Sequence, residues 1–423
     1  MFTNAVVVRI SRLLLLCLFA ALLPSALACG QSPQFTEPAD GSQNPGRGLR
    51  ILQVHKDGKA ERIGIQPMDL LARYGKFDII DKSSYFKARE AYGGSGDRVE
   101  IEVWRGRARL KTFVLPGNLD IETNEYNPVA YQLDSLMQRL DAEGQIAEYM
   151  RDVEFKDRSD ASKVIEQARN LVDAAERDGT LTRSQILVAR IEMIPDHAPE
   201  QELKKQKDLI STFIATEPIS YCGNLGVEFF ERKHFRASIP LMKRYLTAYP
   251  DNLSLRLNLG VASFKIGLWD EADEAADNVL RNPENLSAHG LVVAYQNKMM
   301  AALSRSDLAN SIVFAEKCFE LEPNEFYSSA VLLAAAKTGD TEKFNATLRK
   351  FEQKLPKEYE KDKMQVDAAE ALLLAKNNHD SAARGIVEKW KNVDRIEGRL
   401  KSYWGKYPIG DAIVDNWRRL AKQ

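Results

Sequence analysis

The sequence predicts an α+β multidomain chain, in which a small β-rich domain precedes an all-α array of paired helices. Three observations carry this. Leu49-Arg50-Ile51-Leu52-Gln53-Val54 and Val99-Glu100-Ile101-Glu102-Val103-Trp104 alternate or run apolar over strand length. From Pro128 onward the apolar side chains return at helical spacing, as in Val164, Ile165, Ala168, Leu171, Val172 and Ala175. Asn224-Leu225-Gly226-Val227 recurs as Asn258-Leu259-Gly260-Val261, 34 residues later, which marks an internal repeat.

With 423 residues the chain exceeds what one core holds, about 250 residues, so several domains are expected. Lys+Arg 59 against Asp+Glu 60 leaves no basic excess, which excludes nucleic acid as the partner that bulk charge would attract.

The chain begins differently from the rest. Arg9 and Arg12 precede an apolar run from Leu13 to Leu23, and Ala26-Leu27-Ala28 supplies small residues for cleavage. The run is short for a bilayer span, so residues 1–28 are expected to be a secretory signal. Cys29-Gly30-Gln31-Ser32 after it resembles the lipobox of bacterial lipoproteins, with Ala26 where that family favours Leu. Two outcomes stand: acylation of Cys29, with Gly30 fitting the pattern of outer-membrane lipoproteins, or a soluble periplasmic protein with a free thiol. Residues 29–46, rich in Gly, Ser, Pro, Gln and Asn, are expected to be a flexible tether.

Residues 47–121 are punctuated by turns at Asp57-Gly58, Gly93-Gly94 and Ser95-Gly96-Asp97, with helical composition from Tyr85 to Ala91. The strand from Gly48 to Val54, then Asp57-Gly58-Lys59-Ala60, Gly64-Ile65 and Met68-Asp69-Leu70-Leu71, resembles the bacterial PDZ domain. Asp69 is kept, but Met68 replaces the family's glycine, so that turn is expected to be built differently. The resemblance implies a peptide groove lined by Gly48, Leu49 and Ile51 on a strand and by Tyr85 and Arg89 on the helix. Too little sequence precedes Gly48 to place the loop that holds a peptide carboxylate. A domain kept for docking or rigidity therefore stands beside peptide binding.

In the helical half, Phe235 and Trp269 follow Leu225 and Leu259 by ten residues, small residues follow at Ser238 and Ala272, and Pro250 and Pro283 stop the second helices. Ser311 to Asn324 repeats the second-helix pattern, with Cys318 at a small packing position. This register resembles the tetratricopeptide repeat, which implies a solenoid of helical hairpins. Residues 223–360 hold the clear repeats, 127–222 divergent helical pairs, and 361–423 a last pair with a capping helix that uses Trp404, Ile409, Ile413, Val414, Trp417 and Leu420. The spacing of 40 from Pro283 to Pro323 requires an insertion near Leu303 to Asp307. The resemblance puts Asn224 and Asn258 on the groove, where they would hydrogen-bond an extended ligand. The cytosolic chaperone-binding pattern is not matched at Gly223 or Val227.

Catalytic residues are not expected. His55, His197, His234, His289 and His379 are scattered singly and suit surface or helix-end positions, with no metal-binding spacing and no cofactor motif. Cys222 and Cys318 fall in different repeats and suit packing rather than a disulfide. Arg105, Arg107, Arg109 and Lys111 alternate, so on a strand or hairpin they share one face, which suits a charged, solvated edge more than a lipid or acidic-partner site. The expected protein is a non-enzymatic scaffold or adaptor of the bacterial cell envelope, gripping a partner polypeptide in the repeat groove. It would touch the membrane through an N-terminal lipid and take no small-molecule substrate. The alternative is a regulatory accessory of an envelope protease, or a cryptic hydrolase.

Overall fold

The computed structural model describes residues 34–127, 129–130, 132–139, 159–196, 198–361, 363–390, 397–398, 400–401, 404 and 408–422. The expected signal, Cys29 and His197 lie outside them. The chain divides into two compact units, Met1–Asn127 and Pro128–Gln423.

The first unit is an antiparallel sheet of β1 (Leu49–Val54), β2 (Leu70–Tyr74), β3 (Phe77–Asp78), β4 (Val99–Arg105), β5 (Ala108–Val114) and β6 (Ile121–Glu125), with helices α1 (Lys59–Arg62) and α2 (Lys82–Tyr92). The strands run in the order β5-β4-β2-β1-β6, and β3 pairs with β2. Alternation decides which face is core: Leu49 and Ile51 of β1 and Val99, Ile101 and Val103 of β4 join Leu71, Tyr74 and Tyr85 in one apolar cluster. The opposite face is partly covered, by Leu70, Ala72 and Trp104 against Tyr126. On that face the Trp104 Nε1 donates to Glu102, 2.9 Å away, beside Arg73 and Lys111. The β4–β5 hairpin turns on Gly106 at φ +60°, the positive φ that a II′ loop needs at its first residue.

Three expectations change here. Residues 34–46 are laid on the sheet rather than free: Thr36 exchanges backbone hydrogen bonds with Arg109, Asn44 donates to the Gly106 carbonyl, and the Phe35 ring packs under Arg105, 4.0 Å from its centroid. Arg109 ion-pairs with Asp40 at 3.0 Å and donates to the Ser42 hydroxyl. The arginine stripe is thus largely spent on this chain's own residues. Secondly, Met68 adopts φ +75°, so the turn keeps the conformation a glycine would give it and carries the strain instead. Its N–H donates to the Ile51 carbonyl at 2.7 Å, which fixes it against β1. Asp69 behind it is 1% exposed and receives a bidentate pair from Arg105, at 2.7 and 2.8 Å. Thirdly, the sheet continues past residue 121, since β6 pairs with β1 from Val54↔Ile121 to Leu49↔Glu125.

The second unit is helical throughout its described residues. After a helical stretch at 132–139 come α3 (Ser159–Arg177), α4 (Arg183–Glu192) and α5 (Glu200–Thr216). Helical hairpins follow: α6 (Ile219–Glu231) with α7 (Phe235–Ala248), α8 (Leu253–Lys265) with α9 (Trp269–Leu280), α10 (Ala288–Ser304) with α11 (Leu308–Leu321), and α12 (Glu325–Thr338) with α13 (Thr341–Lys354). Then α14 (Pro356–Lys361) leads to the pair α15 (Lys363–Lys376) and α16 (Asp380–Glu388), and α17 (Pro408–Lys422) ends the described chain.

From α6 onward each helix packs on the next, while α5 packs on α7, and the first helices α6, α8 and α10 also pack on one another in turn, as stacked helical hairpins do. The repeated Leu-Gly explains the close approach. A Cβ on Gly226 would sit 2.9 Å from Met242 of α7, and one on Gly260 would sit 2.6 Å from Asn297 of α10. The expected insertion is taken up in part as an extra turn of helix, since α10 has 17 residues against 13 in α8, and in part by the 3-10 turn Pro283–Asn285 before α10. Cys222 and Cys318 are both buried, and burial pushes the Cys318 thiol up to about 12.

Candidate interaction surfaces

Asn224 and Asn258 hold equivalent positions on neighbouring first helices. Each stands two residues before the glycine that packs inward, about 200° round its helix, and so on the far side. Asn224 is exposed and Asn258 half-buried. The two packed helices α6 and α8 therefore present a polar amide pair at one register, able to donate to and accept from the backbone of an extended segment. Nearby, Arg232 after α6 is clamped by Glu192 of α4 at 2.7 Å, Asp134 at 2.9 Å and Glu228 at 3.5 Å. Further along, Lys298 of α10 and Arg305 at its C-cap hold Asp273 of α9, each at 2.7 Å. Burial would raise the Asp273 carboxyl, but the two cations outweigh it and hold it below the usual carboxylate range. These ion pairs fix helix against helix and leave the asparagine face open.

In the sheet unit the expected groove residues do not form a groove. Leu49 and Ile51 are fully buried, and β1 has β2 on one side and β6 on the other, so no ligand strand can add to it. Gly48 has φ +146°, and a Cβ there would sit 2.6 Å from the Leu71 carbonyl oxygen. It serves backbone packing, not ligand contact. Tyr85 belongs to the core, edge-on to Tyr74 at 6.1 Å, and Arg89 lies half-buried over Tyr85 and Phe86. Among the described residues the strand with an unpaired edge on this side is β6. Its end is tied to α2, because Glu125 accepts from the Lys82 backbone N–H at 3.0 Å, just inside the Asp81/Ser84 capping box. The sequence signal for β6 was slight: Pro116-Gly117-Asn118 marks a turn, but Ile121-Glu122-Thr123-Asn124-Glu125 carries one large apolar residue.

His234 and His379 are helix N-cap residues, and His55 and His289 face solvent beside Glu122 and Glu322. Among the described residues no three His, Cys, Asp or Glu side chains converge as a metal ion requires.

No family model matches the chain. A curated relative, Protein CTR9 homolog of Arabidopsis thaliana, is 29% identical over 170 residues, 38% of this chain. That match covers 15% of the relative's own length. Among solved structures, a tetratricopeptide repeat protein from Parabacteroides merdae is 12% identical, with a TM-score of 0.32, covering 64% of this chain and 99% of that one. A thermophilic TPR protein of Thermus thermophilus is 20% identical, with a TM-score of 0.27, covering 44% of this chain and 96% of that one.

Proposed function

We propose that this protein is a non-enzymatic interaction scaffold whose helical unit holds an extended polypeptide across α6 and α8. The observation that carries the reading is the pair Asn224 and Asn258, repeated in register on the open face of two packed first helices. A scaffold of this kind needs no reacting group; it needs a polar ladder that matches backbone amides, set on a rigid stack. The test is capture of a crosslinked partner by the full chain, with and without Asn224→Ala plus Asn258→Ala. Loss of two hydrogen bonds at roughly 1 kcal/mol each should weaken capture by about 30-fold at unchanged helical content. Undiminished capture by the double variant would remove these asparagines from the interface.

The sheet unit extends the same reading as a PDZ-like module. The free edge of β6, tied at its end to α2 through Glu125 and Lys82, suits addition of a ligand strand. That assignment moves the ligand strand from β1 to β6, at the opposite end of the domain sequence.

The bacterial cell envelope is the compartment proposed, on the charged, apolar and small-residue layout of residues 1–28. The membrane link proposed is a lipid on Cys29, with a soluble periplasmic protein as the other outcome. Labelling with a palmitate analogue separates them: acylation should vanish in Cys29→Ala.

A further inference from the structure

The C-terminal segment does more than close the last hairpin. Helix α17 packs on α15 and α16, as a cap would, and also reaches α12 and α10, the first helices of the two preceding pairs. Its contact face is apolar throughout: Ile409, Ile413, Val414, Trp417 and Leu420 are each at most 6% exposed. Upstream, Leu400 and Trp404 are fully buried, with Trp404 stacked on Phe326 of α12 at 5.5 Å and donating to the Gln365 side chain of α15 at 3.1 Å. Arg419 ties the outer face of α17 to Asp380 at 3.0 Å.

The receiving helices show the consequence. Every residue of α12 from Tyr327 to Ala336 is buried, and α15 is buried from Met364 to Ala369. A helix buried all round must be packed on both sides. By contrast α8 buries only Leu255, Leu259, Gly260, Ala262 and Ser263, the face turned to its own array.

We propose that α17, with Leu400 and Trp404 ahead of it, is an intramolecular ligand: the first-helix layer of α10, α12 and α15 is a receptor for an amphipathic helix with tryptophan anchors, occupied in cis. It follows that a partner in trans has the α6–α8 portion of the layer to itself. The proposal rests on the reading above only in taking the first-helix layer as the binding face.

The experiment uses the full chain and a fluorescein-labelled peptide of residues 397–422, followed by anisotropy. Trp404→Ala plus Trp417→Ala removes both anchors and should release the segment, so that the variant binds the wild-type peptide on the order of 100-fold more tightly than wild type does. Hydrogen exchange across α12 should rise in the variant and fall again when peptide is added. The milder Arg419→Gln, which loses the outer ion pair with Asp380, should speed exchange in residues 408–422 while α6 to α9 stay unchanged. Equal binding of peptide to variant and wild type, or none to either, overturns the proposal. So does loss of helical content in α10–α16 in both variants, because a receptor stays folded when its ligand leaves. Partner capture through Asn224 and Asn258 is read separately, so either idea can fail alone.

Discussion

Replacing Met68 by glycine should stabilise the sheet unit, although the change deletes a side chain. A non-glycine residue at φ +75° costs about 1–2 kcal/mol relative to glycine. The Met68 side chain is 66% exposed, so its removal gives up little packing. Against the gain stands the greater freedom of glycine in the unfolded chain, about 0.5–1 kcal/mol. The balance is a stabilisation of roughly 0.5–1 kcal/mol. Because the Met68 N–H bonds to Ile51 and the Ile51 N–H bonds to Asp69, amide exchange at these positions reports the turn directly. Their exchange should slow by about two- to fivefold in Met68→Gly under conditions where exchange follows opening free energy. Met68→Val should do the opposite, since a branched Cβ tolerates positive φ least. Equal or faster exchange in Met68→Gly would refute the strain assigned to this turn.

Two further outcomes test the helical unit. Gly260→Ala should destabilise it by about 1–2 kcal/mol in urea unfolding, even though alanine is the better helix former by about 1 kcal/mol, because the new methyl group meets Asn297 at 2.6 Å and Ala275 at 3.3 Å. In acid, the Asp273 clamp should fail: its folded pKa lies below the unfolded value near 3.8, so its contribution is present above that value and is lost as pH falls through the folded one. Exchange at the α9–α10 junction should therefore rise in that acid window in wild type, and the pH dependence should shrink in Asp273→Asn.

Much of the helical unit was legible because its constraints are local. Leu225-Gly226 and Leu259-Gly260 name the close approaches, Pro250, Pro283 and Pro323 fall just past helix ends, and the 40-residue spacing gives the longer α10. In the sheet unit the alternation of β1 and β4 was clear, but strand order was not. Leu49 and Ile51 look the same in sequence whether their strand lies at an edge or inside the sheet. The docking of residues 34–46 was hidden for a related reason: Thr36, Asp40, Ser42 and Asn44 are polar, and it is Arg109 and the β5 edge that give them partners.

The helical period, the repeat length and the positions of the asparagine pair follow from the order of residues alone, because each depends on side chains a turn or a repeat apart. That β6 lies outside β1, that Met68 takes the glycine conformation and that the tail crosses three first helices emerge only in the folded chain. Those outcomes turn on pairing and burial between residues far apart in the chain, where one apolar stripe fits several surfaces and the whole packing selects among them.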